Sequence, residues 1–234
     1  MNYDILETKE RVIEDNDAVA EKLRRRLAAS GIFFINLMAS PGAGKTTLLK
    51  RTIEEIGDEF SFGVMEADVD SDVDAKTLSD MGVKVIQLHS GGLCHMDADM
   101  TERGVEAFLG HRTEESTDGH TFNSDIDILF LENIGNLVCP AEFDVGANKR
   151  VMILSVPEGH DKPLKYPLMF QTSDLIIVNK IDTKAIFDFS NEEFEKNVRK
   201  QNEHAPIIYL SAKTGEGFDA WTAWLSEQEK TLCE

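Results

Sequence analysis

The chain has 234 residues, enough for one domain with a single hydrophobic core that needs no disulfide or structural metal to fold. Its 43 acidic and 24 basic residues give a formal net charge of −19. This charge argues against nucleic acid and anionic membrane surfaces as partners. Hydrophobic residues make up 41 % of the chain, which excludes a disordered protein.

Cysteine usage and the lack of long apolar segments bear on location. Three cysteines, Cys94, Cys139 and Cys233, do not make a disulfide framework. No apolar run is long enough to cross a bilayer, and the first residues lack the pattern of a secretory signal. These features predict a cytoplasmic protein with reduced thiols.

An amphipathic helical pattern opens the chain, and short apolar runs then alternate with further helical patterns. Such runs, rich in Val, Ile, Leu and Phe, are typical of strands buried on both faces of a parallel sheet. The predicted strands are residues 32–38, 62–65, 83–88, 126–131, 151–156, 175–178 and 207–210. The predicted helices are residues 15–30, 45–56, 73–81, 96–109, 192–202 and 218–229.

This alternation predicts an α/β fold with a mostly parallel, doubly wound sheet of about seven strands flanked by helices. We expect residues 1–30 to form an N-terminal helical extension packed on one domain, residues 31–234. Residues 111–125 are polar and without periodicity, and they predict an exposed loop to which the sequence assigns no role.

The first predicted strand runs into a phosphate-binding loop pattern, G-x-x-x-x-G-K-[ST], with Ala39 in place of the first glycine. Small residues allow backbone amides to surround a phosphate, and the helix that follows directs its positive end at the anion. Lys45 would reach the β and γ phosphates, and Thr46 would offer its hydroxyl to Mg²⁺. The predicted phosphate-binding residues are Gly42, Ala43, Gly44, Lys45, Thr46 and Thr47.

Two later strands end in residues that resemble the base-recognition loops of GTPases. After the predicted strand 175–178 comes an N-K-x-D sequence, whose aspartate accepts from both donors of guanine, and adenine lacks that pair. After strand 207–210 comes S-A-K, where a backbone amide would meet the guanine oxygen. Since ligands bind at the carboxyl ends of parallel strands, we predict GTP rather than ATP, bound by Asn179, Lys180, Asp182, Ser211, Ala212 and Lys213.

Acidic residues at the ends of two other strands predict the magnesium and switch elements. Glu66, Asp68 and Glu132 carry hard oxygen ligands that could hold Mg²⁺ together with Thr46, directly or through water. Glu132-x-x-Gly135 resembles the D-x-x-G switch of GTPases, and Gly135 would donate its amide to the γ phosphate. We predict catalytic roles for Lys45, Asp68 and Glu132, and expect Asp70 and Asp72 to be solvated. With no glutamine or arginine finger identifiable, we expect slow hydrolysis until a partner or second copy completes the site.

Cys94 and His95 follow one predicted strand, and Cys139 follows another. Thiolate and imidazole suit Zn²⁺ or Ni²⁺, and three ligands leave a position open for transfer or for bridging two chains. From the spacing alone, a metal site and ordinary side chains that bind no metal are equally expected. Cys233 lies beside the C-terminus and is not expected to be a ligand.

Four strings carry a resemblance to one family over about residues 15–224. They are NLMASPGAGKT (36–46), CHMDA (94–98), ENIGNLVCP (132–140) and KPLKYP (162–167), and they resemble HypB, the GTPases that help insert nickel into [NiFe]-hydrogenase. The resemblance implies a SIMIBI-like GTPase domain over 31–234 and a nucleotide-dependent homodimer. It also implies a nickel or zinc site of Cys94, His95 and Cys139 near the dimer interface, a companion nickel chaperone and a hydrogenase large-subunit precursor as partners.

Departures from the family and competing functions limit this expectation. The first cysteine is Cys94 and the first histidine is His89, so no N-terminal high-affinity nickel motif or storage stretch is predicted. A urease-type GTPase should carry Cys-Pro-His, but Ala141 follows Cys139-Pro140 here. A metal-storage module with a structural nucleotide site stays open, and the guanine motifs argue against a small-molecule kinase. The residues do not decide between nickel and zinc.

Overall fold

A computed structural model describes residues 8–68, 73–109, 122 and 125–233. Seven strands form one sheet in the order β3-β2-β4-β1-β5-β6-β7, and every neighbouring pair is parallel. The strands are β1 (Phe33–Ala39), β2 (Phe62–Asp68), β3 (Lys84–His89), β4 (Ile128–Glu132), β5 (Lys149–Ser155), β6 (Leu175–Asn179) and β7 (Ile207–Tyr209). The first strand lies in the middle, with β4, β2 and β3 on one side and β5, β6 and β7 on the other. The predicted doubly wound fold is confirmed.

Helices cover both faces of the sheet. They are α1 (Thr8–Ala29), α2 (Lys45–Ile56), α3 (Val73–Ser79), α4 (Ala98–Leu109), α5 (Cys139–Glu142), α6 (Lys162–Lys165), α7 (Pro167–Gln171), α8 (Asn191–Arg199) and α9 (Phe218–Cys233). Successive residues of β1 point to opposite faces: Phe33 and Ile35 pack with α2 and α9, whereas Phe34 packs with α1 and α4. Burial on both faces explains why the strands read as continuous apolar runs.

Helix α1 packs against the domain through a buried stripe that includes Leu23 and Leu27. Arg24 adds an ion pair with Asp144, at 2.5 Å between Nη2 and Oδ2. Burial alone would raise the pKa of Asp144, but the amide of Gly146 and the guanidinium groups of Arg150 and Arg24 bring that pKa below its usual value. The division into an extension and a GTPase domain stays a prediction.

The bounds differ from the sequence expectations mainly at polar ends. Helix α1 begins at Thr8 rather than at residue 15, and β5 begins at Lys149 rather than at 151. The one-turn helices α5, α6 and α7 were not predicted, because a single turn has too few residues to show periodicity. Residues 69–72, with Asp70 and Asp72, and most of the predicted loop 111–125 lie outside the described residues. Within the described part, no helix is long and apolar enough to cross a membrane.

Candidate functional site

The phosphate loop joins β1, in the middle of the sheet, to the start of α2. Gly42 has a φ of 75° and Gly44 a φ of 102°, both in the left-handed region that glycine adopts without strain. At Gly44 a Cβ would lie 2.5 Å from Nδ2 of Asn179, so space as well as backbone requires glycine there. Ala39, which replaces the first glycine of the pattern, is the last residue of β1 and is fully buried. Its departure from the motif therefore leaves the loop intact.

A cavity of about 560 Å³ opens above this loop. Glu66 and Glu132 pair in register on the neighbouring strands β2 and β4, and both are almost fully buried, at 3 % and 4 % exposure. The hydroxyl of Thr46 donates a hydrogen bond of 2.9 Å to Oε1 of Glu132. The predicted magnesium residues and most of the predicted phosphate residues thus meet in one cavity, lined by Gly42, Gly44, Lys45, Thr46, Thr47, Glu66, Asp68, Glu132 and Gly135 among others. Ala43, also predicted to bind phosphate, is buried and is absent from this lining.

A second cavity, of about 410 Å³, lies beside the first and shares Gly44, Thr47 and Lys180 with it. It contains most of the predicted base-binding set, with Asn179, Lys180, Asp182, Ala212 and Lys213 in its lining. The shared residues place the two cavities side by side at the phosphate loop, and a nucleotide with its phosphates in the first would have its base near the second.

Asn179 connects the phosphate loop to the base-binding loop. Its Nδ2 donates to the carbonyl of Ala43 at 2.9 Å, and its Oδ1 accepts from the amide of Ala212 at 3.0 Å. Lys180 takes a left-handed backbone, with a φ of 62°, and its ammonium donates to the carbonyl of Gly42 at 2.6 Å. The asparagine and lysine of the N-K-x-D sequence therefore hold the loops together.

Asp182, predicted to recognise the base, also lines the second cavity. Its Oδ1 accepts a 2.6 Å hydrogen bond from the hydroxyl of Ser211, which restricts the rotation of the carboxylate. Ser211, also in the predicted base-binding set, is fully buried and is absent from the cavity lining, so it would act through Asp182. A fixed carboxylate can accept two parallel donors from a planar ring, and the guanine edge presents two.

Cys94, His95 and Cys139 also come together, at the same edge of the sheet. Their sulfur and ring nitrogen atoms all lie within 4.8 Å of one another. Cys94 Sγ lies 2.8 Å from Cys139 Sγ and 3.8 Å from His95 Nδ1. The hydrogen bond to Cys94, and burial after it, raise the pKa of the Cys139 thiol. A soft divalent metal would replace that shared proton and bind both thiolates.

Two neighbouring side chains contact the residues of this cluster or the segments that carry them. The imidazole of His95 stacks on the ring of Phe143, with 4.0 Å between centroids and 12° between planes. Asn136 accepts from the amide of Val138 at 2.8 Å and donates to the carbonyl of Cys94 at 3.3 Å. Asn136 therefore joins the two segments that carry the cysteines. Such outer contacts usually set the geometry of a metal site.

The segment after β4 connects the two sites. It begins with Glu132 beside Thr46 and ends with Cys139 in the cysteine cluster. Gly135 passes so close to the phosphate loop that a Cβ there would lie 3.0 Å from Cγ of Pro41 and 3.1 Å from its nitrogen. A ligand that moves the phosphate loop would therefore press directly on this segment.

Sequence reasoning missed several supporting residues. Ser40 in the phosphate loop donates to the carboxylate of Glu158, which also accepts from the amide and hydroxyl of Ser155 at 2.8 Å. Phe143, which stacks on His95, was also missed. Asn136 was assigned no role of its own, although it lies inside the string 132–140. No local pattern pairs Ser40 with a residue so distant in sequence, so only the fold reveals the contact.

Comparison with known proteins assigns the family. Residues 33–209 match the family described as CobW/HypB/UreG, nucleotide-binding domain. The hydrogenase maturation factor HypB of Azotobacter chroococcum is 41% identical over 224 residues, covering 96% of this chain and 69% of that protein. This chain belongs to the HypB family. As a member of that family it is a P-loop nucleotide-binding protein.

Solved HypB structures share the fold. HypB from Archaeoglobus fulgidus superposes with a TM-score of 0.81 at 36% identity, covering 92% of this chain and 99% of that one. HypB from Helicobacter pylori, solved in complex with nickel, gives a TM-score of 0.82 at 33% identity, covering 93% and 96%. The family resemblance and the fold class taken from the sequence are confirmed. The assignment of individual residues to nucleotide, magnesium and metal stays a prediction.

Mild oxidation is expected to link Cys94 to Cys139 within one molecule. Their sulfurs are 2.8 Å apart, so the thiolate of one can attack a mixed disulfide on the other without a large chain movement. Treatment with oxidised glutathione followed by peptide mass analysis should find the Cys94–Cys139 pair, and prior loading with Zn²⁺ should block it. Glutathione adducts on both cysteines without the internal link would contradict the observed geometry.

Proposed function

We propose that this chain is a GTP-hydrolysing metallochaperone that delivers nickel during hydrogenase maturation. The observation that carries the proposal is the segment 132–139, which begins at the phosphate cavity and ends in the thiol cluster. The relatives support nickel as the metal that is delivered, since they are named hydrogenase maturation factors and one was solved with nickel. By the same analogy, a companion nickel chaperone and a hydrogenase large-subunit precursor would supply and receive the ion. Reduced thiols fit work in the cytoplasm.

The residues fit GTP and Mg²⁺ by their chemistry. Gly42 and Gly44 give the phosphate loop the left-handed backbone that an anion-binding turn needs, and Lys45 adds a positive charge within the cavity. Two buried carboxylates beside a threonine hydroxyl make the hard-oxygen set that Mg²⁺ prefers. Bound Mg²⁺ would neutralise charge between the β and γ phosphates. Thr46 and Glu132 would hold the ion, with Glu66 and Asp68 beside them.

The protein's own groups would then promote hydrolysis by positioning and charge. Lys45 would stabilise the charge that builds on the γ phosphoryl oxygens. Glu132 or Asp68 would orient the attacking water, and Gly135 would donate its amide to the γ phosphate. No arginine lines the phosphate cavity as described. A slow intrinsic rate, raised by a second copy or a partner, is therefore expected.

A homodimer would complete the metal site. Three ligands leave Zn²⁺ or Ni²⁺ short of a full set, and a two-fold axis could bring two such sets together. Leu93 and Val138, next to the cysteines, are 47% and 51% exposed, and α5 packs against α7, where Leu168 is also exposed. An apolar surface around an incomplete metal site is what a nucleotide-dependent dimer contact would cover.

The test is a titration of the purified protein with Ni²⁺ and with Zn²⁺. It is run without nucleotide, with GDP and with a non-hydrolysable GTP analogue, with solution mass measured throughout. We expect the affinity for metal or the dimer fraction to change with the nucleotide, because the two sites share one segment. Equal metal binding and constant mass in every state would contradict the delivery proposal. A passive metal site beside a GTPase would remain.

A further inference from the structure

The side chain of Asn16, on α1, holds together the two segments that carry the thiol cluster. Its Oδ1 accepts a 2.8 Å hydrogen bond from the amide of Ala98, and its Nδ2 donates a 2.8 Å hydrogen bond to the carbonyl of Asp144. Ala98 begins α4, three residues after His95, and Asp144 lies five residues after Cys139. One amide therefore contacts both sides of the cluster from outside it.

The rest of α1 holds these contacts in place. On one side Arg26 forms an ion pair of 2.6 Å with Glu102 of α4. On the other side Arg24 donates to the carbonyl of Ala147 at 2.9 Å, and Gly146 lies so close to α1 that a Cβ would be 2.8 Å from the carbonyl of Ala20. Asn16 thus projects from a helix that is fixed to both segments, and it can set their separation.

We propose that Asn16 is a positioning residue for the metal site, fixing the distance between the Cys94-His95 segment and the Cys139 segment. The inference rests on the proposed metal site and assigns α1 a part in it. A ligand set spread over two segments binds a metal tightly only when its atoms are held to about 0.5 Å. Asn136 joins the segments from one end, through the carbonyl of Cys94, and Asn16 joins them from the other.

Two substitutions test whether Asn16 bridges the two segments of the thiol cluster or contacts the start of α4 alone. Asn16→Ala removes both hydrogen bonds. Asn16→Asp keeps an acceptor for the amide of Ala98, where a negative charge at the start of α4 is favourable, but it sets an oxygen against the carbonyl of Asp144. A residue that only supplied an acceptor to the start of α4 would tolerate aspartate, whereas a bridge to Asp144 would not.

The chain offers a matched control in Asn202. Its amide also connects two backbone segments, donating to the carbonyls of Phe170 and Ser173 at 2.9 Å and accepting from the amide of Ala205 at 2.9 Å. None of these partners lies on the segments of the thiol cluster. Asn202→Ala should therefore lower the melting temperature without changing metal affinity.

The experiment measures the affinity of the four full-length proteins for Zn²⁺ and Ni²⁺ by chelator competition, with the nickel–thiolate absorption band as a second readout. We expect both Asn16 variants to bind metal about 10-fold more weakly than wild type, the usual effect of losing an outer support, with a weaker band and unchanged GDP affinity. Wild-type metal affinity in both Asn16 variants, or wild-type behaviour of Asn16→Asp alone, would overturn the inference. Failure of the wild-type protein to bind metal would overturn the proposed metal site itself.

Discussion

Replacing Asp182 with asparagine is expected to reverse the nucleotide preference, from guanosine to xanthosine triphosphate. Asp182 lines the second cavity, and its carboxylate accepts a hydrogen bond from the hydroxyl of Ser211 at 2.6 Å. It can accept from both the ring N–H and the amino group of guanine. Asparagine has one acceptor and one donor, so its amino group would oppose that of guanine. Xanthine carries a carbonyl at this position, and the asparagine donor matches it.

The expected effect is large because the amino group of guanine would lose its acceptor and meet a second donor. Each such group costs about 1–3 kcal/mol, and more beside a charge, so GTP affinity should fall at least about 100-fold. Calorimetric titration of wild type and Asp182→Asn with non-hydrolysable GTP, xanthosine and ATP analogues measures this directly. Metal binding without nucleotide should be unchanged, since Asp182 lies outside the thiol cluster.

Asp174 provides a matched control at the other end of the strand that precedes Asp182. It precedes β6 at the opposite end from Asp182, where its Oδ2 accepts from the amide of Arg150 at 2.7 Å. Asp174→Asn should therefore retain GTP affinity. If Asp182→Asn still bound GTP and ignored xanthosine triphosphate, the base would be recognised elsewhere. A wild-type preference for ATP would contradict the guanine prediction altogether.

The fold was predictable because its central strands are buried on both faces. β1, β4 and β6 are covered by helices on either side and carry almost only apolar residues, so each appears in the sequence as an isolated hydrophobic run. The phosphate loop was predictable because its glycines are required by the local backbone conformation, which a short sequence pattern reveals. At Gly44 that conformation has a left-handed φ of 102°.

The supporting residues were not predictable, because they act across long sequence distances. The contacts of Asn16 with Ala98 and Asp144 span 82 and 128 residues, and the bond between Ser40 and Glu158 spans 118. An asparagine on an amphipathic helix has no local feature that identifies such partners. The cysteine cluster was partly predictable. Its residue types suggested a metal site, but the three side chains meet only because β3 and β4 end at the same edge of the sheet.

Replacing Cys139 with alanine is expected to abolish tight metal binding while leaving nucleotide binding intact. Structural zinc sites with four ligands bind with about 10–16 kcal/mol, so one ligand contributes about 3 kcal/mol and its loss weakens binding about 100-fold. Cys139 is absent from the lining of both nucleotide cavities. GDP and GTP-analogue affinities without metal should therefore match those of wild type.

The same variant tests whether the two sites are coupled. In wild type, metal should change GTP affinity by the same factor by which GTP changes metal affinity, because linkage is reciprocal. In Cys139→Ala, metal should no longer change GTP affinity and GTP should no longer change metal affinity. The segment that begins at Glu132 would no longer end in a metal ligand. Cys233→Ala, a cysteine change outside the predicted ligand set, should keep both factors.

Two outcomes would contradict this scheme at different points. Wild-type metal affinity in Cys139→Ala would remove Cys139 from the ligand set, although its sulfur lies 2.8 Å from that of Cys94. Weakened metal binding with the nucleotide dependence preserved would keep the ligand but move the coupling elsewhere. Gly135 against Pro41 would then not be the contact through which the phosphate loop acts on the metal. Metal affinity in Cys139→Ala therefore tests whether Cys139 binds the metal. The nucleotide dependence of that affinity tests whether the segment 132–139 transmits the nucleotide state.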